Sequence, residues 1–284
     1  MDVRQLLAIG TGAGIEMQGS DLVVTVTRVR PSGAEVLGTT AIRGFRERPA
    51  GEWGAEYARF LAAHGASHLT ATVALPRRDL IVRLVTLPGV AGKDLAAAID
   101  YQIDSLHPWG EEDVVVGWAP LGAPGAVLVG IARREVLAAH IQRFAEAGVA
   151  AGCFTFAAAA FHSARRIFAI PAESLLALGA TPTGAVEAYG ESPSRPVFSA
   201  EFDLPLERAA ALAAAELRLD PGVAVVPLEQ ALPAPRQAGA GDSFSRGTTS
   251  YAASLAGACP RLAPAANLLP LEFRATNSRA MFVP

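Results

Sequence analysis

Residues 71–121, ATVALPRRDLIVRLVTLPGVAGKDLAAAIDYQIDSLHPWGEEDVVVGWAPL, hold the run of elements on which the fold turns. The β-branched and apolar runs 69–75 and 80–86 are separated by Pro76-Arg77-Arg78-Asp79. Proline sets φ and the polar residues tolerate a turn, so the pattern predicts two strands paired as a hairpin. Leu95, Ile99, Ile103 and Leu106 then recur at spacings of 4, 4 and 3, one face of a helix that must stop before Pro108. Runs 114–118 and 126–131 can extend the sheet beneath that helix. Leu137, Ile141 and Phe144 form a second helical stripe, closed by Gly148. The stretch reads as one small α+β unit.

On the N-terminal side, Leu6 to Arg30 reads as a Gly-rich turn followed by two strands, and Trp53, Tyr57, Phe60 and His64 share a helical face ended by Gly65. On the C-terminal side the theme restarts at Ser174. SLLALGATPTGAVEAYGES is a strand, a Gly/Pro turn and a strand, followed by the run 196–202 and an alanine-rich helix over 206–219 that ends at Pro221. Between the two themes, 147–164 has no Asp, Glu or Lys and no Arg. It is mostly alanine and contains His162, so it is too weakly apolar for a span of roughly 20 residues, and 154–168 is predicted to be a buried helix. The block 232–250, LPAPRQAGAGDSFSRGTTS, lacks apolar periodicity and has the composition of a mobile loop.

A chain of 284 residues, 51% of them hydrophobic, can bury a large core in one composite domain or two. Its net charge of −3 gives no electrostatic footprint for nucleic acid or an anionic membrane surface. Cys153 and Cys259 are too far apart in sequence for a metal knuckle, and both read as buried small hydrophobes in a reducing compartment. Cys153 and His162 invite a nucleophile and base reading, but the apolar segment around them favours packing. Trp53 is placed in the core by its periodicity. Trp109, in a loop, keeps an interface reading open.

The run 71–121 resembles the PilM family, actin-like cytoplasmic proteins of type IV pilus assembly related to the secretion protein GspL and the division protein FtsA, and the resemblance extends over nearly the whole chain. It implies an α/β, two-lobed actin-like (ribonuclease H-like ATPase) fold with an inserted α+β subdomain. On that plan 1–70 and 150–171 form the first lobe, 71–149 the inserted subdomain, 172–266 the second lobe with the loop 232–250, and 267–284 a tail.

The nucleotide site implied by that superfamily is degenerate here. Its first hairpin resembles Asp-x-Gly with a basic residue a few positions on, and its second lobe opens with another Asp-x-Gly; the aspartates organise Mg²⁺ and the glycines let backbone amides approach phosphate. Aligned on GIEMQGSDLVV, Glu16 stands at the first aspartate, Gln18 at its glycine, with Gly19 following, and Val23 where the basic residue is expected. In LALGAT, Gly179 is kept while Ala177 replaces the aspartate. Lys93 is the only lysine and falls in the inserted unit. Gly10 and Gly12 begin a G-x-G-x-x-G that Ile15 breaks, so Gly10, Gly12 and Gly14 read as a flexible lead into the first hairpin. No catalytic residue, metal or cofactor is expected, with ATP the alternative.

Asn267-Leu268-Leu269-Pro270 resembles the short cytoplasmic motif with which PilN, the membrane partner, inserts into a groove on PilM between the first lobe and the inserted unit. Motif and groove then share one chain, as in a PilM–PilN fusion, and Arg274 and Arg279 before Ala280-Met281-Phe282-Val283 look like the cytoplasmic flank of a membrane helix. The resemblance implies a non-catalytic scaffold at the cytoplasmic face of the inner membrane, in a type IV pilus or type II secretion platform. Its partners would be PilN-like or PilO-like inner-membrane proteins or a second copy of itself, and its membrane attachment would come only through a following helix or a partner. A nucleotide-binding ATPase or switch of the same family is the alternative.

Overall fold

The computed structural model describes residues 6–90, 92–110, 113–122, 125–169, 171–172, 174–181, 183–236, 247–263, 266–270 and 273–274. Most of the tail after Pro270, including the expected membrane flank at Arg279 to Val283, lies outside the described residues. So does the middle of the expected loop, 237–246.

Three β-strands, β1 (Gly10–Gln18), β2 (Asp21–Arg30) and β3 (Gly33–Ile42), form an antiparallel meander, followed by helix α1 (Ala50–Ala63) and strand β4 (Ala71–Leu75). β4 lies parallel to β1, and β8 (Ala151–Phe156) parallel to β4, in a five-stranded sheet of order β3-β2-β1-β4-β8. The second lobe repeats the plan. β9 (Leu175–Ala180), β10 (Val186–Glu191) and β11 (Phe198–Phe202) form a meander, helix α5 (Leu206–Leu217) crosses over, and β12 (Val225–Pro227) pairs parallel to β9. Two β-β-β-α-β units, each returning its fourth strand beside its first, make this the two-lobed actin-like fold that the resemblance implied.

The expected hairpin at Pro76 is not formed. β4 pairs with β1 and β8, whereas β5 (Leu80–Thr86) pairs with β7 (Ala126–Arg133), which in turn pairs with β6 (Val114–Pro120), giving a separate three-stranded sheet. Pro76 and the turn of 77–79 therefore carry the chain from one sheet to another. Local turn chemistry marks a change of direction, and the partner is chosen by burial: all five β4 residues are buried, as suits a strand inside a parallel sheet.

Helix α2 (Leu95–Leu106) covers this small sheet at the predicted positions, and β7 shows how the unit joins the body. Val127, Val129 and Ile131 face Ile99 and Ile103 in a local core, while Ala126, Leu128 and Ala132 join the first-lobe core. The alternation is the period of two of a strand buried on both faces. Trp109 packs at the edge of the local core, stacked on His107 with ring centroids 5.8 Å apart. Helix α3 (Arg134–Glu146) packs toward the first lobe, where Phe144 meets Trp53 edge to face at 5.6 Å. Trp53 is fully buried, as its periodicity predicted.

The expected buried helix over 154–168 begins later. Residues up to Phe156 form β8, because Phe154, Thr155 and Phe156 suit a strand and pair with β4, and helix α4 spans only Ala157–Arg165. Cys153 lies in β8, half-buried, and burial pushes its thiol up to about 12, which leaves it inert as a nucleophile. No helix of the described residues is long and apolar enough to cross a membrane.

Helix α6 (Thr248–Ala258) explains the N-terminal glycines and corrects the reading of 232–250. Gly10, Gly12 and Gly14 belong to β1, and a Cβ on them would stand 1.9, 2.1 and 2.0 Å from the carbonyl oxygens of Ala258, Ser254 and Ser250. Two residues of strand advance about 6.6 Å and four residues of helix about 6 Å, so an antiparallel helix can seat one carbonyl against every second strand residue. The glycines are there for close approach and not for flexibility. Thr25 and Thr27 hydroxyls bond to those of Ser250 and Ser254 at 2.7 and 2.6 Å, so the polar side chains of a nearly all-buried helix are satisfied. Residues 248–250 are thus part of the core. Leu232 is buried as well, and the Arg236 backbone N–H donates to Ala34 O at 2.8 Å.

Candidate functional site

The sequence-predicted residues fall into two places. Glu16, Gln18, Gly19 and Gly179 line a cleft of about 710 Å³ between the lobes, whereas Asn267, Leu268 and Leu269 lie in a groove between the first lobe and the inserted unit.

The cleft lies at the ends of β1 and β4, where β8 passes into α4, and is closed on the far side by β9, β10 and β11 and at one end by the first turn of α6. Glu16 Oε2 is buried and has no hydrogen-bond partner. Burial, reinforced by Glu187, pushes the Glu16 carboxyl up to about 8, against hydrogen bonds from Gln18, the Ser250 backbone N–H and Thr249 that pull the other way. Glu187 on β10 is raised to about 7 by burial and by Glu201, with Arg77 opposing. Arg77 spans the lobes, its Nη1 donating to Ser199 Oγ at 3.0 Å. The turn that carries it is anchored by His140 on α3, whose Nε2 donates to Asp79 Oδ2 at 2.9 Å. Sequence reading did not find Arg77, Ser199, Glu187 or Glu201. Only the Pro-Arg-Arg-Asp turn was visible, and its direction depends on which sheet β5 joins.

This donor set does not fit magnesium and a polyphosphate. Glu16 already fills the N-terminus of α6, the place where backbone N–H groups would face an anion. Ala177 is fully buried in β9, and Val23 sits opposite Glu16 in the β1–β2 ladder. Four carboxyls, Glu16, Glu187, Glu201 and Glu229, line the cleft against two guanidiniums, Arg77 and Arg78. Among the described residues no cluster of three or more His, Cys, Asp or Glu is placed to hold a metal ion.

The second place is built on backbone. β8 is the edge strand of the first-lobe sheet, and 267–268 cover its open side: the Leu268 N–H donates to Phe154 O at 2.7 Å and the Phe154 N–H to Asn267 Oδ1 at 3.1 Å. Asn267 Nδ2 donates to Gly152 O at 3.3 Å, and Asn267 Oδ1 also accepts the Leu269 N–H at 2.9 Å, so this one side chain sets the register. On the other side lies β6, where a Cβ on Gly117 would stand 2.8 Å from Asn267 C and 2.9 Å from Leu268 N. Leu268 is 0% and Leu269 2% exposed, both within the main core. Arg274 closes the segment, its Nε donating to Leu269 O at 2.7 Å and its Nη2 to Asn267 O at 3.0 Å.

The lobes, the crossovers and the inserted unit define an actin-like fold, with Glu16, Glu187, Glu201 and Glu229 lining its interlobe cleft. By sequence, no family model and no curated protein matches the chain. Among solved structures it resembles the PilM–PilN type IV pilus biogenesis complex, with a TM-score of 0.53 and 18% identity over 74% of this chain. It spans 66% of the length of that chain. It also resembles the cytoplasmic domain of EpsL, an inner-membrane component of the type II secretion system of Vibrio cholerae, with a TM-score of 0.51 and 16% identity over 75% of this chain and 78% of that one. The chain thus has the fold of the pilus and secretion platform proteins PilM and EpsL.

Proposed function

We propose that this chain is a non-catalytic scaffold of an inner-membrane assembly platform, of the type IV pilus or type II secretion kind, and that 267–270 is a PilN-like segment bound in its own groove. The observation that carries this reading is the docking of 267–269 between β8 and β6, where one backbone bond and the Asn267 side chain cover the open sheet edge and two leucines are buried. The fold shared with the PilM–PilN complex and with EpsL supports it, and supports a working position at the cytoplasmic side of the inner membrane. The acid-rich cleft supports the absence of ATP turnover. Leucine supplies the affinity on this reading: full burial of each side chain is worth roughly 1.5–3 kcal/mol, while Asn267 and Pro270 set register and an extended backbone.

The test is to remove 267–284 and return the segment as a peptide. The native peptide should bind the truncated body, and one carrying Leu268→Ala and Leu269→Ala should bind at least tenfold more weakly, since tenfold needs only about 1.4 kcal/mol. Equal binding of the two peptides, or a truncated body that does not fold, would make the segment an ordinary closing turn of the core. Phosphate release from Mg-ATP above background would refute the non-catalytic part independently.

A further inference from the structure

One end of the first lobe carries an exposed aliphatic patch flanked by arginines, at the opposite end of β1 from the interlobe cleft. We propose that this end docks on an anionic lipid bilayer, with Leu6, Leu7 and Ile9 entering the headgroup layer and the arginines meeting the lipid phosphates. The proposal does not depend on the docking of 267–270.

The sheet topology brings the parts together. β1, β4 and β8 run parallel, with Ala13 beside Ala71 and Ala71 beside Ala151, so their starting ends lie on one side of the lobe while the cleft is at their far ends. Leu6, Leu7 and Ile9 lead into β1 and are 52%, 63% and 57% exposed, while Ala8 among them is fully buried and fixes the segment to the core. Four arginines gather at the same end. Arg30 closes β2 beside the start of β1, where Gly10 pairs with Val29. Arg236 reaches Ser32 in the turn between β2 and β3. Arg261 follows the C-terminus of α6, whose Ala258 carbonyl lies against Gly10. Arg274 donates to Asn267 O, and Asn267 Nδ2 donates to Gly152 O at the start of β8.

All four arginines are exposed. Arg30 donates to Val29 O, Arg236 to Ser32 Oγ and Arg274 to Leu269 O, so these bonds hold the guanidiniums on neutral oxygens and leave their charge uncancelled. Two acids lie toward this end: Glu35 stands 3.7 Å from Arg28, and Glu146 accepts from Gln142. The net charge of −3 conceals the patch, because salt screens exposed charges beyond about 10 Å and a bilayer responds only to those near it. The size of the patch selects the partner. Three aliphatic side chains fall far short of the roughly 20–30 residues a side in a stable protein interface, whereas binding in the bilayer interface needs only a few buried aliphatic groups added to the attraction of basic residues for anionic lipid.

The experiment uses the whole chain and co-sedimentation with vesicles of phosphatidylethanolamine and phosphatidylglycerol, with phosphatidylcholine vesicles as the uncharged arm. The protein should partition onto the anionic vesicles at least tenfold more strongly than onto phosphatidylcholine, and that partition should fall about fivefold or more between about 0.05 and 0.5 M salt as the charges are screened. Leu6→Ser with Leu7→Ser should weaken it at least fivefold, and so should Arg30→Gln with Arg261→Gln, each at the wild-type melting temperature because the altered side chains are exposed; if one pair does not fold, the other decides. No partition at millimolar lipid, equal partition onto the two kinds of vesicle, or binding unchanged in the variants would overturn the proposal. So would a wild-type dimer in sedimentation velocity that Leu6→Ser with Leu7→Ser dissociates, since the patch would then belong to a second copy. None of these results bears on the peptide test of 267–270, so the two readings fail separately.

Discussion

Glu191 should be the most costly single charge to remove. It ends β10 at 4% exposure and receives two bonds from Arg166, at 2.9 and 2.8 Å, together with the Tyr189 hydroxyl. Arg165 stands 3.2 Å and His162 Nδ1 3.5 Å away. His162 and Arg165 belong to α4 and Arg166 follows it directly, so the cluster ties the helix that leaves β8 to the second lobe. Burial by itself would raise the Glu191 carboxyl. The approach of His162, the hydrogen bonds from Arg166 and the charges of both arginines outweigh it and hold the group at about 2, against its ordinary 4.5. At about 1.36 kcal/mol per pH unit that displacement is worth about 3 kcal/mol, the lower end of the roughly 3–5 kcal/mol lost when one partner of a buried ion pair is removed. Because the folded value lies below the unfolded one, the stabilisation is complete above about pH 4.5 and is lost as pH falls toward 2. Urea denaturation of the wild type and of Glu191→Gln should therefore differ by about 3 kcal/mol at pH 7, and the gap should close between pH 4.5 and 2.5. A gap under about 1 kcal/mol at pH 7, or one unchanged by acid, would refute the reasoning, since a buried ion pair of this geometry could then not be what joins the lobes.

Gly12→Ala should destabilise by about 3 kcal/mol or more because its methyl meets the Ser254 carbonyl at 2.1 Å, whereas Gly51→Ala, in α1 with nothing within 4 Å, should be neutral or stabilising; paired denaturation curves compare them. Gly117→Ala should loosen 267–270 without touching that segment, seen as faster amide exchange at Leu268 with little change at β9–β10. Glu16 is raised in the folded state, so its contribution is lost as pH rises from 4.5 toward 8; the melting temperature of the wild type should fall between pH 6 and 9 and that of Glu16→Gln should fall less.

Periodicity settled much of this molecule. The stripe Leu95, Ile99, Ile103, Leu106 defined α2 to its ends, the aromatic stripe of Trp53 and Tyr57 defined α1, and the repeated β-turn-β openings foretold two lobes of one plan. These signals are local: a helix face or a strand alternation is written within a dozen residues. What the chain alone left open is pairing. Nothing near Pro76 says that β5 will leave β4 for β7, because both choices satisfy the same turn and only the competition for buried sheet positions separates them. Gly10, Gly12 and Gly14 resemble a loop until a helix some 240 residues away lies against them, and Ser250 and Ser254 look polar until Thr25 and Thr27 supply their partners. Glu187 and Arg77 meet Glu16 only when the lobes close, since a cleft is made of residues distant in sequence whose charges act through space; its chemistry is therefore a property of the tertiary structure and not of any segment.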